Sequence, residues 1–282
     1  MDPAKASATA VDVAVARGIH RSRDEPPWVL DDPFALTLAG PAWAQIHAAS
    51  QTAFAPAALR QSRASIVARS RYAEDRLNDG GYRQYVILGA GLDSFAWRRA
   101  DLLGWLRLFE VDQPASQARK LARIAELGLP MHDGHVFAAV DFEAESLYDG
   151  LDRAGLDWAQ PTFFSCLGVL IYLGAEAIDA TLRTVHECVT GSEIVFSYDV
   201  PDAFLDDIAR EMVAIEAGQV AAVGEPYTSR MSPAHAEALV TAAGLHVTEH
   251  LPPQALYDRY FAGRSDALRP SAAERLIAAR SA

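Results

Sequence analysis

The chain has 282 residues, half of them hydrophobic and 22% charged, an ordinary globular composition with ample apolar material for a core. Its net charge of −12 repels phosphate backbones, so neither nucleic acid nor an anionic membrane is an expected partner. Cys166 and Cys188 give neither a metal cluster nor a disulfide framework and read as reduced core thiols. The amino terminus carries acid early and has no sustained apolar stretch, so no secretion signal is expected. The longest apolar run, around Phe163 to Leu173, is too short for a bilayer, and a cytoplasmic location is the expectation.

Up to about Asp24 the sequence is alanine-rich and compatible with a helix, which Glu25-Pro26-Pro27 breaks. Trp28 to Pro33 makes a turn, with Asp32 as cap and Pro33 suited to the first position of a short helix over Phe34 to Leu38. A longer helix is expected from Pro56 to about Asn78, with Leu59, Ile66, Ala73 and Leu77 near one face, ended by Asp79-Gly80-Gly81. Residues 1–80 precede any strand and read as a helical cap over the ligand end of a core formed by residues 81–282.

That core begins with Tyr85 to Leu88, an apolar, β-branched run of the kind buried on both faces of a parallel sheet. Gly89 and Gly91 end it and let a ligand lie against bare backbone, while Asp93 or Ser94 can cap the following helix. A second strand is expected over Leu102 to Val111, with Glu110 and Asp112 at its carboxyl end, where carboxylates suit ribose hydroxyls. Asp112 follows Gly91 by 21 residues, near the spacing of a dinucleotide site, but Ser94 stands where the third glycine of such a motif belongs. A nicotinamide cofactor is therefore disfavoured.

Strands and helices then alternate. Pro114 to Glu126 is a crossover helix, His135 to Val140 a strand ended by Asp141, Leu147 to Ala154 a helix and Thr162 to Leu167 a strand. A helix marked by Ile178, Leu182, Val185 and Val189 leads to a strand over Glu193 to Tyr198, followed by Asp199. Five such units require right-handed crossovers and a doubly wound α/β sheet. Residues 201–232 break the rhythm with a helix through Phe204, Ile208, Met212 and Ile215 and a polar loop at Gly224 to Thr228, read as a lid. Late strands over Leu245 to Leu251 and Leu276 to Arg280 suggest an antiparallel edge.

Taken together, LGAGLDS, FEVDQP, PTFFSCLGVLIYL and RYFAGRSDALRP resemble the leucine carboxyl methyltransferase family, which includes polyketide carboxyl O-methyltransferases. The resemblance implies a class I, Rossmann-like fold of about seven strands with the last antiparallel. It also implies S-adenosyl-L-methionine as cofactor, with S-adenosyl-L-homocysteine as product. By that resemblance Gly89, Ala90, Gly91 and Asp93 hold the cofactor, with Asp112 and secondarily Glu110 on the ribose. Asp141 and Phe142 fall near the adenine. Arg69, in RSRY, matches the arginine that pairs with the methionyl carboxylate, a role that suits a guanidinium fork. Protein-methylating members have a glutamate where this chain has Leu167, so a small-molecule acceptor is the expectation.

Methyl transfer by displacement needs proximity, alignment and a dry site. A carboxylate acceptor needs no base, whereas a phenol or alcohol does, and the sequence offers only the isolated His20, His47, His235 and His246, which read as surface or packed histidines. No catalytic residue is assigned. Tyr172 and Tyr198 near strand ends, with Tyr227 and Arg230 in the lid, are the candidate substrate contacts. An NAD(P)-dependent oxidoreductase and a non-catalytic metabolite-binding relative are the alternatives, and a homodimer is left open.

Overall fold

The structure is a computed structural model and describes residues 7–281. Helices α1 (Thr9–Arg23), α2 (Ala35–Ala39), α3 (Trp43–Ala53) and α4 (Pro56–Gly80) come first. The core follows as β1 (Gln84–Leu88), α5 (Phe95–Arg98), β2 (Arg107–Asp112), α6 (Pro114–Leu127), β3 (His135–Ala139), α7 (Leu147–Arg153), β4 (Thr162–Cys166), α8 (Ala175–His186) and β5 (Glu193–Asp199). It closes with α9 (Asp207–Ala222), α10 (Pro233–Ala242), β6 (Leu245–Leu251), α11 (Pro253–Tyr260) and β7 (Glu274–Ser281).

The seven strands lie in the order β3-β2-β1-β4-β5-β7-β6. The first five are mutually parallel, and β7 runs antiparallel to both β5 and β6. Strand alternation sends Tyr85 and Ile87 into one apolar layer and Val86 and Leu88 into the other. The first layer also contains Val15, Val67 and Tyr72, so α1 and α4 share a continuous core with the sheet. Residues of α7, α8 and α10 fill the second.

Several boundaries differ from the sequence reading, most of all in β2. Strand β2 starts at Arg107, because Leu102 to Leu106 is held in successive turns, with the Trp105 and Leu106 N–H groups both donating to the Leu102 carbonyl. Helix α3 was not expected: none of its residues is fully buried, so it carries no strong apolar periodicity. Asp32 does cap its turn, its Oδ1 accepting from Phe34 N–H at 3.1 Å, but the helix begins at Ala35 rather than Phe34. No helix among the described residues is long and apolar enough to cross a membrane.

Candidate active site at the carboxyl edge of the sheet

Strand order reverses between β1 and β4, and the crevice above their carboxyl ends is where an open α/β sheet binds ligands. Gly89 leaves β1 at φ +64°, and a Cβ there would stand 2.4 Å from Val169 Cγ2, so both backbone and space call for glycine. The Gly91 N–H donates to Asp112 Oδ2 at 2.5 Å, and the Gln113 N–H donates to Oδ1 at 2.7 Å. One carboxylate thus ties the β1 turn to the end of β2. Burial pushes the Asp112 carboxyl up to about 6, against the opposing pull of those two N–H groups.

Helix α1 braces this turn from above. Arg17 bonds Asp32 Oδ2 through Nε at 2.9 Å and the Leu92 carbonyl through Nη2 at 2.6 Å. Ser94, at the missing glycine position, donates to the same Asp32 oxygen at 2.7 Å and is a structural post. Asp93 caps α5 by accepting from Phe95 N–H at 2.6 Å. Burial works against its charge, but Arg17, Arg98 and Lys120 hold its carboxyl below the usual range.

Above the strand ends lies a cavity of about 640 Å³ walled by α1, α3, α4, α9 and the loops after the strands. Arg69, Gly89, Ala90, Gly91, Asp93, Asp112 and Phe142 all line it, as do Tyr172 and Tyr227. Arg69 bonds Glu274 Oε1 through Nη1 at 2.5 Å and passes over Gly168, where a Cβ would come within 2.5 Å of Nη2. Leu167 is also in the wall.

Four expected contacts lie elsewhere. Glu110 sits lower on β2, buried under α6, paired with the Lys120 ammonium and 3.1 Å from His135 Nε2. Asp141 accepts from Glu143 N–H at 3.1 Å and closes the turn after β3, leaving Phe142 to reach the cavity. Tyr198 points to the opposite sheet face, where its hydroxyl meets His250 Nε2 at 2.8 Å. Arg230 is engaged outside the wall, its Nε on the Val200 carbonyl at 2.9 Å and its Nη1 on Asp202 at 2.6 Å. Of the histidines, His20 is packed between Asp24 and the Val29 N–H, and His47 lines the cavity mouth.

The sequence reading also missed several acids. Asp199, Glu216 and Glu274 line the cavity beyond Tyr172. Asp199 and Glu274 are direct partners across the antiparallel β5–β7 pair. Burial first, then the neighbouring Glu274, push the Asp199 carboxyl up to about 8. Glu216, on α9, is pushed up to about 7 by burial, although the Tyr227 hydroxyl donates to it at 3.3 Å. Glu225, buried in the loop after α9, accepts from Ala8 N–H at 2.7 Å and Thr9 Oγ1 at 2.8 Å, clasping the start of α1. One-residue parity in β5 and pairings across the whole chain placed these acids, and neither is a local sequence signal.

The site suits S-adenosyl-L-methionine on its own evidence. The glycine turn leaves bare backbone beside the cavity, Asp112 offers acceptor oxygens at the end of β2, and a guanidinium stands over the β4 end. Gln113, also in the wall, keeps a buried Oε1 with no partner among the described residues.

This strand order and this site define a class I S-adenosyl-L-methionine-dependent methyltransferase fold. Across its full length the chain superposes on a DUF574 family protein from Streptomyces avermitilis, with a TM-score of 0.67, 18% identity and 99% of that chain covered. The sequence model of the leucine carboxyl methyltransferase family matches residues 10–186, and the chain belongs to that family. It is 36% identical over 207 residues to YktD of Bacillus subtilis, provisionally named an S-adenosyl-L-methionine-dependent methyltransferase, covering 72% of this chain and 67% of YktD. FRAAL3718 of Frankia alni, named in the same way, is 35% identical over 196 residues, covering 66% of this chain and 65% of that protein. The match thus spans about two thirds of these relatives' length.

Proposed function

We propose that this chain is an S-adenosyl-L-methionine-dependent O-methyltransferase acting on a carboxyl or hydroxyl group of a small molecule, as in the tailoring of a secondary metabolite. The observation that carries this reading is one cavity whose wall includes both the Gly89–Asp112 corner and Tyr172, Met212 and Tyr227. Helices α1, α3 and α9 roof it, which suits a small acceptor better than a folded protein surface.

The cofactor, when bound, supplies an activated methyl group on a sulfonium. The chain's own residues bind, orient and exclude water. Asp112 accepts hydrogen bonds from hydroxyls, the glycine turn admits close approach, and Phe142 and Val169 give apolar walls. Tyr172 and Tyr227, with ring centroids 5.7 Å apart, enclose the acceptor compartment. Such alignment in a water-poor site is the main catalytic requirement of a displacement at carbon.

Titration calorimetry with S-adenosylhomocysteine, and with NAD and NADP as controls, tests the cofactor. Micromolar binding of the homocysteine compound alone, roughly −8 kcal/mol, is expected. Incubation with radiolabelled S-adenosylmethionine and a panel of small phenols, alcohols and acids tests the reaction. Label transferred to nitrogen acceptors alone would contradict O-methylation.

A further inference from the structure

Helix α3 turns an apolar stripe toward the cavity rather than toward a core. Ile46, Ala49 and Ala53 lie three and four residues apart on one face, Phe54 ends the stripe, and all four line the cavity. A surface helix ordinarily buries its apolar face, yet no residue of α3 is fully buried. Ile46 touches the first apolar layer, whereas Ala49, Ala53 and Phe54 belong to neither layer. Val13 of α1, Leu59 of α4, and Val220 and Val223 at the end of α9 line the same cavity. Ala49 and Val223 are exposed as well as cavity-lining, Val223 at 47%, so they mark where the cavity opens to solvent.

Apolar side chains gathered at the opening of a pocket mark a surface that a ligand covers. Arg63, four residues after Leu59, also lines the cavity, but Asp24 holds it through Nε at 2.6 Å and Nη2 at 2.7 Å. The charged groups Arg69, Asp199 and Glu274 come instead from α4 and the ends of β5 and β7. The cavity is therefore polar at the sheet and apolar between α3 and the end of α9.

Resting on the methyltransferase reading, we propose that the acceptor is an amphiphile. Its polar head, carboxyl or hydroxyl, faces the cofactor, and its alkyl-like tail lies along the α3 stripe and leaves between α3 and Val223. From Ile46 to Phe54 the stripe covers about 12 Å at about 1.5 Å per residue, the reach of a medium-length chain. A tail in this place gives α3 the apolar partner it lacks. It also closes the opening to water, and a displacement at carbon needs a dry site.

The experiment uses the full chain saturated with S-adenosylhomocysteine and titrated calorimetrically with two probe pairs, hexanoate with decanoate and 4-ethylphenol with 4-hexylphenol. Each pair differs by four methylenes and keeps one head. In at least one pair the longer probe should bind about 100-fold more tightly, at one site per chain, because each buried methylene strengthens binding about threefold to fourfold. The variant Ala49→Gln/Val223→Gln places two neutral polar groups at exposed positions and leaves the charge unchanged. It should bind the longer probe about tenfold more weakly and keep its affinity for the shorter probe and for S-adenosylhomocysteine. Ala53→Trp, which fills the path of the tail, should abolish the gain with length. In methyl transfer the longer probe should lower KM and leave kcat unchanged, since the tail is held equally before and during reaction. Equal affinity within both pairs, binding of no probe, or a full gain with length in both variants overturns the proposal while the cofactor reading stands. Failure of S-adenosylhomocysteine to bind removes both.

Discussion

The Asp112 carboxylate and the Gly91 N–H are 2.5 Å apart, so the acid offered to the cavity is also the one that holds the glycine turn in shape. Asp112→Asn keeps the side chain's size but replaces one acceptor oxygen with a donor. It should weaken S-adenosylhomocysteine binding by about 100-fold, since a buried N–H left without its acceptor costs about 1–3 kcal/mol. Calorimetry measures it, and unchanged affinity would remove Asp112 from the site. In the wild type, affinity should fall as pH drops below about 6, where this carboxyl takes up a proton and loses acceptor capacity.

Stability should show an unusual slope without ligand. Asp112, Glu216 and Asp199 are pushed up to about 6, 7 and 8, well above their values in an unfolded chain. Between about pH 4 and pH 8 the folded protein therefore holds protons that the unfolded chain has released. What these groups contribute is fully present below about pH 4 and lost as pH rises through their folded values. The Tm of the ligand-free protein should be lower at pH 8 than at pH 6, by calorimetry. Asp199→Asn should flatten this fall.

Arg69 and Glu274 form a nearly buried pair, with side chains 10% and 11% exposed. Removing Arg69 alone leaves Glu274 uncompensated opposite Asp199 and should cost about 3 kcal/mol. Arg69→Met/Glu274→Gln should recover much of that, because both charges leave together. Urea unfolding of the two single variants and the double gives the coupling energy. Additive losses would show that the two side chains do not act as a pair.

Glu225 holds the first turn of α1 across the cavity roof through Ala8 N–H and Thr9 Oγ1. Glu225→Ala should leave the core intact and free this edge. Amide exchange at Val11 to Ala14 should speed up by about tenfold, roughly 1.4 kcal/mol, while exchange in β1 and β4 stays unchanged. Dissociation of S-adenosylhomocysteine should quicken in parallel. Unaltered exchange in α1 would show that the clasp does not restrain the helix.

The sheet was legible because each βα unit declares itself locally, through an apolar run, a glycine or acid at its end and a helix of 3.6-residue period. Asp112 and the glycines followed from spacing. Tyr198 was misplaced by one residue of strand parity: its neighbour Asp199 faces the cavity, while Tyr198 packs with His250. Glu110 was legible as an acid on β2, but its partner Lys120 is covered only once α6 folds back. The cavity acids Asp199, Glu216 and Glu274 come from β5, α9 and β7, so their meeting depends on tertiary packing rather than on any local pattern.

Strand β7 follows the other six strands in the chain, yet its place is inside the sheet, between β5 and β6. Until residues 274–281 emerge, β5 presents an unpaired edge and β6 has no neighbour to join. The nascent chain must keep that gap open and protected from other strands. The same strand delivers Glu274 to Arg69, so the step that seals the sheet also completes the chamber's charge pattern. A nascent chain that stalls before residue 274 lacks both the strand that joins β5 to β6 and the Glu274 partner of Arg69.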